Sequence, residues 1–193
     1  MESIHEGLLE EFYQNARGVF KRIEESGMEK IVDFLLDAKK IYVLGIGHSG
    51  MFGRVLSMKL NHVGLTAYTV FDEINPPMGR DDVFIAISQS GETKTIVTLA
   101  EKAKKIGGRV VGIVSSEEST LGTLADTVLR IPKVDEDTEF TVLAAIGDRE
   151  NQNLLGSLFG FNIYVLFYAL VLMLAKKRGE SAESIDARHA NLQ

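Results

Sequence analysis

The chain contains no cysteine and no tryptophan, and only three of its 193 residues are proline. The lack of cysteine excludes disulfide bonds, thiolate nucleophiles and metal sites built from thiolates. Strongly basic stretches are also missing, because the longest basic run is Lys176-Lys177-Arg178 and the formal net charge is -6. Binding to a nucleic acid backbone needs clustered lysine and arginine, so we expect no nucleic acid partner.

The N-terminus lacks the character of a secretory signal, since the sequence Met-Glu-Ser-Ile-His-Glu is polar and acidic. A cytoplasmic location is the default expectation. One apolar run, residues 158–175, approaches the length that crosses a bilayer. It is interrupted by Gly160, Asn162 and two tyrosines. We expect a helix that is buried between the sheet and a partner subunit, not a membrane span.

Short apolar runs alternate with helical patterns in the middle of the chain. The predicted strands are 41–44, 67–71, 83–87, 110–115 and 128–131, and the predicted helices between them are 51–63, 95–106 and 120–125. Continuously apolar strands that are each followed by a helix indicate a parallel sheet covered on both faces. The sequence therefore predicts an α/β fold with a doubly wound, five-stranded parallel sheet, which binds ligands at the carboxyl ends of its strands.

Length and composition fit a single domain over residues 1–193. Its predicted parts are N-terminal helices (1–38), an α/β core (39–132), an acidic connection (133–155) and C-terminal helices (156–193). We expect a break between the N-terminal helices at Ser26-Gly27 and a short last helix near 182–190. A connection as long as 133–155 inside a compact domain is typically functional or mobile.

The most informative motif follows the third predicted strand, where the chain reads Ser88-Gln89-Ser90-Gly91-Glu92-Thr93. Hydroxyl groups, backbone N–H groups and a helix N-terminus meet in this turn, and together they suit a phosphate dianion. The turn lacks the pattern of a nucleotide P-loop, which favours a small phosphorylated metabolite. The alternative is an ordinary N-capped turn between a strand and a helix. Glu92 is expected in the first helical turn, where an acid is stabilising.

A second glycine-rich loop, Gly45-Ile46-Gly47-His48-Ser49-Gly50, follows the first predicted strand. It satisfies the Gly-x-Gly-x-x-Gly spacing of dinucleotide-binding proteins, and Asp72 and Glu73 lie near the position of their ribose-binding acid. The neighbouring serine-rich turn places another anion site beside it, which favours a phosphorylated metabolite over a dinucleotide. His48 would add Coulomb attraction for an anion only in its charged form.

The pairing of Gly-Ile-Gly-His-Ser-Gly with Ile-Ala-Ile-Ser-Gln-Ser-Gly-Glu-Thr resembles sugar isomerase (SIS) domains, which bind phosphorylated sugars. Two further segments, Gly156-Ser157-Leu158-Phe159 and Arg188-His189-Ala190-Asn191-Leu192, are similar to the 6-phospho-3-hexuloisomerase branch. The resemblance covers residues 5–193 and implies the flavodoxin-like SIS fold. It also implies an isomerase that interconverts ketohexose 6-phosphates through an enediol, without a metal or an organic cofactor.

The resemblance implies roles for individual residues as well. The phosphorylated sugar would be bound by Gly47, His48, Ser49, Ser88, Gln89, Ser90, Gly91 and Thr93. His189 would act as the catalytic acid/base and would reach the site of a neighbouring subunit in a homotetramer or homodimer. Neither a metal, a nucleic acid nor a membrane is implied as a partner.

Two positions depart from this family pattern. His48 stands where the family usually has arginine, and Gly160 stands where it usually has a glutamate suited to act as general base. Glu139 and Glu150 in the acidic connection are candidate substitutes. Two alternatives therefore stay open: a non-catalytic or regulatory sugar-phosphate-binding protein, and an isomerase for a pentose phosphate such as arabinose 5-phosphate. The lack of histidine between residues 63 and 188 argues against the latter.

Overall fold

The computed structural model describes residues 4–132 and 158–191. The helices in these residues are α1 (Ile4–Phe20), α2 (Glu25–Leu36), α3 (His48–His62), α4 (Lys94–Ile106), α5 (Thr120–Leu124), α6 (Leu158–Arg178) and α7 (Ala182–Asp186). The strands are β1 (Ile41–Gly45), β2 (Ala67–Thr69), β3 (Val83–Ile87), β4 (Arg109–Val114) and β5 (Thr127–Arg130).

All five strands are parallel and lie in the order β2-β1-β3-β4-β5. The predicted doubly wound parallel sheet is therefore confirmed. The chain adds β2 on one side of β1 and then returns to add β3 on the other side. Gly45 at the end of β1 lies in register with Ile87 at the end of β3. The turns that follow these two residues consequently open on one crevice, which is where such sheets bind ligands.

Each face of the sheet is covered by its own apolar layer. Residues of α2, α3 and α6 pack on one face, against Val43, Ile85 and Ile87. Residues of α4 and α5 pack on the other face, against Leu44 and Ala86. Because both faces are buried, the central strands carry apolar side chains at successive positions instead of alternating with polar ones.

Helix α6 is the one helix among the described residues that is long and apolar enough to cross a membrane, and 50% of its most apolar stretch is buried inside the protein. It packs against α1, α2 and α3. At the contact with α1, the amide of Asn162 donates to Asn15 Oδ1 at 2.9 Å, and both side chains are buried. These contacts make α6 part of the core, while Tyr168 and Leu172 on its outer face stay exposed.

Some predicted boundaries are wrong. Ser26 and Gly27 lie in the first turn of α2, where small residues are tolerated, and the break between the helices precedes them. β2 ends at Thr69 because the chain turns there, as the N–H of Asp72 bonds to the Thr69 carbonyl at 3.0 Å. The last helix is shorter than expected and ends at Asp186. The predicted acidic connection over 133–155, with Glu139 and Glu150, lies outside the described residues.

Candidate functional site

An open cavity of about 320 Å³ lies at the carboxyl edge of the sheet, between the turns that follow β1 and β3. Its lining consists of Ile46, Ser49, Ile87, Ser88, Gln89, Ser90, Thr93 and Ile96. The five polar residues of this lining all belong to the predicted set. The isoleucines were not predicted, although Ile87 and Ile96 are almost completely buried. Their positions in the sequence, at the end of the third strand and in the first turn of the next helix, could have indicated that they form the apolar floor of the cavity.

The turn after β3 directs its hydroxyl groups toward one another. The hydroxyl oxygens of Ser88 and Thr93 lie 2.9 Å apart and are hydrogen-bonded. Ser88 Oγ also accepts the N–H of Gly91 at 3.2 Å, and its side chain is buried. Ser90 is exposed, and its Oγ accepts the N–H of Glu92 at 3.2 Å. The turn therefore holds its polar groups in place before any ligand arrives.

Thr93 is the N-cap residue of α4, yet its side chain does not cap the helix. Its hydroxyl bonds to Ser88 instead, so the predicted alternative of an ordinary N-capped turn is wrong at this residue. Helix α3 begins at the same edge after Gly47, which has no side chain to cap it. The first N–H groups of a helix lack intrahelical acceptors and carry partial positive charge. Both helices therefore offer donors to an anion in the cavity.

Gly91 is needed for the shape of the turn. Its φ is 70°, in the left-handed region that favours glycine, and a Cβ added there would overlap Ser119 Oγ. Two hydrogen bonds hold the Ser119 side chain in place, because its Oγ donates to the Ser116 carbonyl at 2.7 Å and accepts the N–H of Gly122 at 3.2 Å. The turn after β3 thus packs directly on the N-cap of α5.

Glu92 adds a second link between the same two segments. Its carboxylate accepts the N–H of Thr120 at 2.7 Å and the Thr120 hydroxyl at 2.7 Å. These hydrogen bonds, the backbone one foremost, lower the pKa of Glu92. The expectation that Glu92 lies in the first turn of α4 is wrong, because it precedes the N-cap Thr93 and bonds to α5.

The glycines of the first loop allow α3 to begin almost at once after β1. A Cβ on Gly45 would lie 2.6 Å from the backbone of Ser49, and one on Gly50 would lie 2.8 Å from the Gly45 carbonyl oxygen. Gly47 has a φ of 60°. This close approach of backbone to backbone brings Ser49 to the cavity wall.

His48 is the first residue of α3, and its exposed side chain turns toward α6. Its ring meets the ring of Phe52 edge-on, with centroids 4.8 Å apart. The backbone of Gly160 lies beside the imidazole, because a Cβ added to Gly160 would be 2.9 Å from His48 Nδ1. Asp72, the residue considered for ribose binding, pairs with Arg54 at 3.6 Å on the surface.

His189 lies far from this cavity within the same chain. Its ring packs against that of His62, with centroids 4.0 Å apart. His62 ends α3, and a helix of 15 residues spans about 21 Å, so the two histidines lie near the amino edge of the sheet. Burial, together with the nearby His189, lowers the pKa of His62. The predicted role of His189 in a neighbouring subunit's site stays a prediction.

Arg188 holds this end of the chain in place. Its guanidinium donates to the backbone carbonyl of His62 at 3.1 Å and pairs with Glu180 at 2.7 Å. Arg178 pairs with Glu180 as well, at 3.3 Å. The hydrogen bond from Arg188, followed by the one from Ser184, lowers the pKa of Glu180 to about 2. We call this group of Arg178, Glu180 and Arg188 the C-terminal clasp.

The model of the SIS domain family matches residues 34–153, and the chain belongs to this family. It is 31% identical over 171 residues to a 3-hexulose-6-phosphate isomerase of Bacillus subtilis, which corresponds to 89% of each chain. The resemblance that rested on the two glycine- and serine-rich loops is therefore confirmed.

Two solved structures show the same fold. A hypothetical protein from Methanococcus jannaschii, whose crystal structure is described as inferring a molecular function of 3-hexulose-6-phosphate isomerase, aligns with a TM-score of 0.80 at 25% identity. The alignment covers 96% of this chain and 98% of that one. A protein of E. coli in complex with a phosphorylated sugar aligns with a TM-score of 0.74 at 22% identity, over 95% of this chain and 96% of the other.

Gly91→Ala is expected to destabilise the protein by about 1–3 kcal/mol more than Gly179→Ala. Both glycines have positive φ values, 70° and 66°, so each variant carries about 1–2 kcal/mol of backbone strain. Only at position 91 does the new Cβ overlap a side chain, whereas Gly179 has open space around it. Urea unfolding of the parent and both variants measures the difference. Equal losses of stability in the two variants would show that Ser119 moves aside at no cost in free energy.

Because of the C-terminal clasp, we expect the free energy of unfolding to decrease at acid pH. The folded pKa of Glu180, about 2, lies below its ordinary value of 4.5, so the ionised carboxylate stabilises the folded state above pH 4.5. This stabilisation is lost as the pH falls from about 4.5 to about 2. The stability difference between the parent and Glu180→Gln should therefore shrink over that range.

Thermal unfolding as a function of pH measures this difference. Glu101→Gln, on the exposed side of α4, is the matched control for the loss of one carboxylate. A difference between the parent and Glu180→Gln that stays constant down to about pH 2 would contradict the assignment of the clasp.

Proposed function

We propose that the protein is a sugar-phosphate isomerase that converts 3-hexulose 6-phosphate into fructose 6-phosphate. The observation that carries the proposal is the turn after β3, where the hydroxyls of Ser88 and Thr93 and the N-terminus of α4 meet at one cavity. The 31% identity to the Bacillus subtilis isomerase, over 89% of each chain, supports this choice of substrate.

The phosphate would bind to hydroxyl groups and backbone N–H groups. None of the described residues that line the cavity is charged, and the N-termini of α3 and α4 supply positive potential. Hydrogen bonds to a charged phosphate are stronger than those between neutral groups. In this proposal Ser88, Ser90 and Thr93 contact the phosphate, together with the backbone of Gln89 and Gly91.

The rest of the cavity would hold the open-chain sugar. Its volume of about 320 Å³ lies near the lower end of the range for ligand pockets, about 300–1,000 Å³, which suits a small substrate. Ser49 and Gln89 offer polar contacts to hydroxyl groups, whereas Ile87 and Ile96 close the floor. Gly47 and His48, in the loop before Ser49, complete the proposed binding residues.

The reaction moves a proton between two adjacent carbon atoms through an enediol, and other groups polarise the two oxygens. We propose His189 as one acid/base group of this reaction. Since His189 lies at the opposite edge of its own sheet, this role requires a homodimer or homotetramer in which it enters a neighbouring subunit's cavity. The proposal includes no metal or organic cofactor.

A sugar-phosphate-binding protein without isomerase activity is the second candidate. Gly160 favours it, because this residue at the start of α6 beside His48 has no group that accepts a proton. Incubation of the purified protein with 3-hexulose 6-phosphate, with arabinose 5-phosphate in parallel, separates the candidates. Formation of fructose 6-phosphate supports the isomerase. Thermal stabilisation by the phosphosugar without any product supports the binding protein.

The double variant Ser88→Ala, Ser90→Ala is expected to bind fructose 6-phosphate at least about 100-fold more weakly than the parent. Each hydrogen bond to a charged group contributes about 1.5–3 kcal/mol, and two of them are removed. Isothermal titration calorimetry measures the affinity. Thr98→Ala, which removes an exposed hydroxyl from α4, is the matched control and should bind as the parent does. Parent-like affinity in the double variant would refute the assignment of the turn.

His189→Ala is expected to lower kcat by about 10²–10⁴-fold with little change in the affinity for fructose 6-phosphate, as for the loss of an acid/base group. Mixed oligomers test where His189 acts. If it serves a neighbouring subunit, mixing His189→Ala subunits with the Ser88→Ala, Ser90→Ala subunits creates sites with neither defect, and activity returns. Inactive mixtures of two separately inactive variants would show that His189 does not act across subunits.

A further inference from the structure

The packing of His48 against α6 is not accounted for by a binding role alone. His48 directly precedes Ser49, which lines the cavity, in the first turn of α3. His62 and His189 pack together at the far end of α3. Of the four histidines, His48 is the one that directly adjoins a residue of the cavity lining in the sequence.

Packing contacts hold the ring of His48. It lies edge-on to Phe52, and the ring of Phe52 is backed by Tyr164 of α6 at 5.6 Å. On its other side the imidazole rests on the backbone of Gly160, where an added Cβ would lie 2.9 Å from both Nδ1 and Cε1 of His48 and 2.6 Å from Phe52. The absence of a side chain at Gly160 is thus what makes room for the imidazole.

The surroundings of the ring nitrogens are known for the part of the chain that the structure describes. Within residues 4–132 and 158–191, neither nitrogen of His48 is hydrogen-bonded or paired with a charge. Arg54, the next charged residue along α3, is paired with Asp72 at 3.6 Å. Histidine is the side chain that most often acts as a general acid/base, because an imidazole can accept a proton and return it.

We propose that His48 is the group that moves the proton between the carbon atoms of the open-chain sugar phosphate, an inference that rests on the function proposed above. The neutral imidazole accepts the proton from the hydroxyl-bearing carbon next to the carbonyl group. The electron pair of that C–H bond forms the carbon–carbon double bond of the enediolate, and the carbonyl oxygen receives the charge.

The second half of the reaction restores the imidazole. The imidazolium returns its proton to the former carbonyl carbon, while the hydroxyl proton passes from one oxygen to the other through a second acid/base group, for which His189 of a neighbouring subunit is proposed. The carbonyl and hydroxyl groups have then exchanged places, with no net oxidation and no co-reactant. His48 would therefore act on carbon and His189 on oxygen.

The variant His48→Gln tests this assignment, because glutamine keeps polarity and length but does not take up a proton. We expect kcat to fall by about 10²–10⁴-fold while the affinity for fructose 6-phosphate changes by less than about 3-fold. In D2O the parent should incorporate deuterium at the reacting carbon, and the variant should not. His5→Gln, on the exposed start of α1, is the control and should match the parent in every measurement.

Gly160→Ala provides a test that leaves His48 chemically intact. The new Cβ displaces the imidazole and Phe52, and misplacement of a catalytic group by about 1 Å lowers the rate by about 10²-fold. Binding of fructose 6-phosphate should persist in this variant.

The outcomes separate the two proposals. Parent-like turnover in His48→Gln would overturn the inference and leave the isomerase intact. An affinity that falls as much as kcat would also overturn it, because His48 would then contribute to binding alone. A parent that forms no fructose 6-phosphate and incorporates no deuterium would overturn both the isomerase and the inference.

Discussion

The candidate site depends on hydrogen bonds between two neighbouring turns at the carboxyl edge of the sheet. Adjacent parallel strands end side by side, so the turn after β3 lies against the turn after β4. The carboxylate of Glu92 bonds twice to Thr120, and the Gly91 carbonyl accepts the N–H of Leu121 at 3.0 Å. The backbone of the turn is thus held from outside the cavity, while the hydroxyls of Ser88 and Thr93 bond to each other in the cavity lining.

The same arrangement explains how a cavity with no cation among its described lining residues can suit an anion. The negative charge of Glu92 is satisfied by Thr120 and is directed away from the cavity. The N-terminus of α4 has no side-chain cap to compete with a ligand, since Thr93 bonds to Ser88. Donors of fixed orientation lose less entropy on binding than flexible lysine or arginine side chains do.

The sequence was sufficient for those features that depend on local pattern. The apolar runs of β1, β3 and β4 predicted buried parallel strands, and the serine-rich turn predicted the polar half of the cavity lining. The sequence did not predict contacts between residues that are distant from each other in the chain. Thr120 is 28 residues from Glu92, and the position of His189 depends on Arg188 reaching the carbonyl of His62, 126 residues earlier. Gly160 looked like a missing base in the sequence, whereas in the structure it is also the surface on which His48 rests.

The bond from the Thr120 N–H to the Glu92 carboxylate has a practical consequence for spectroscopy. At 2.7 Å from a charged acceptor, this amide proton is strongly deshielded. Its resonance therefore reports the geometry of the turn from a residue that does not line the cavity. A titration followed by nuclear magnetic resonance can use this single amide as a built-in sensor of events in the cavity.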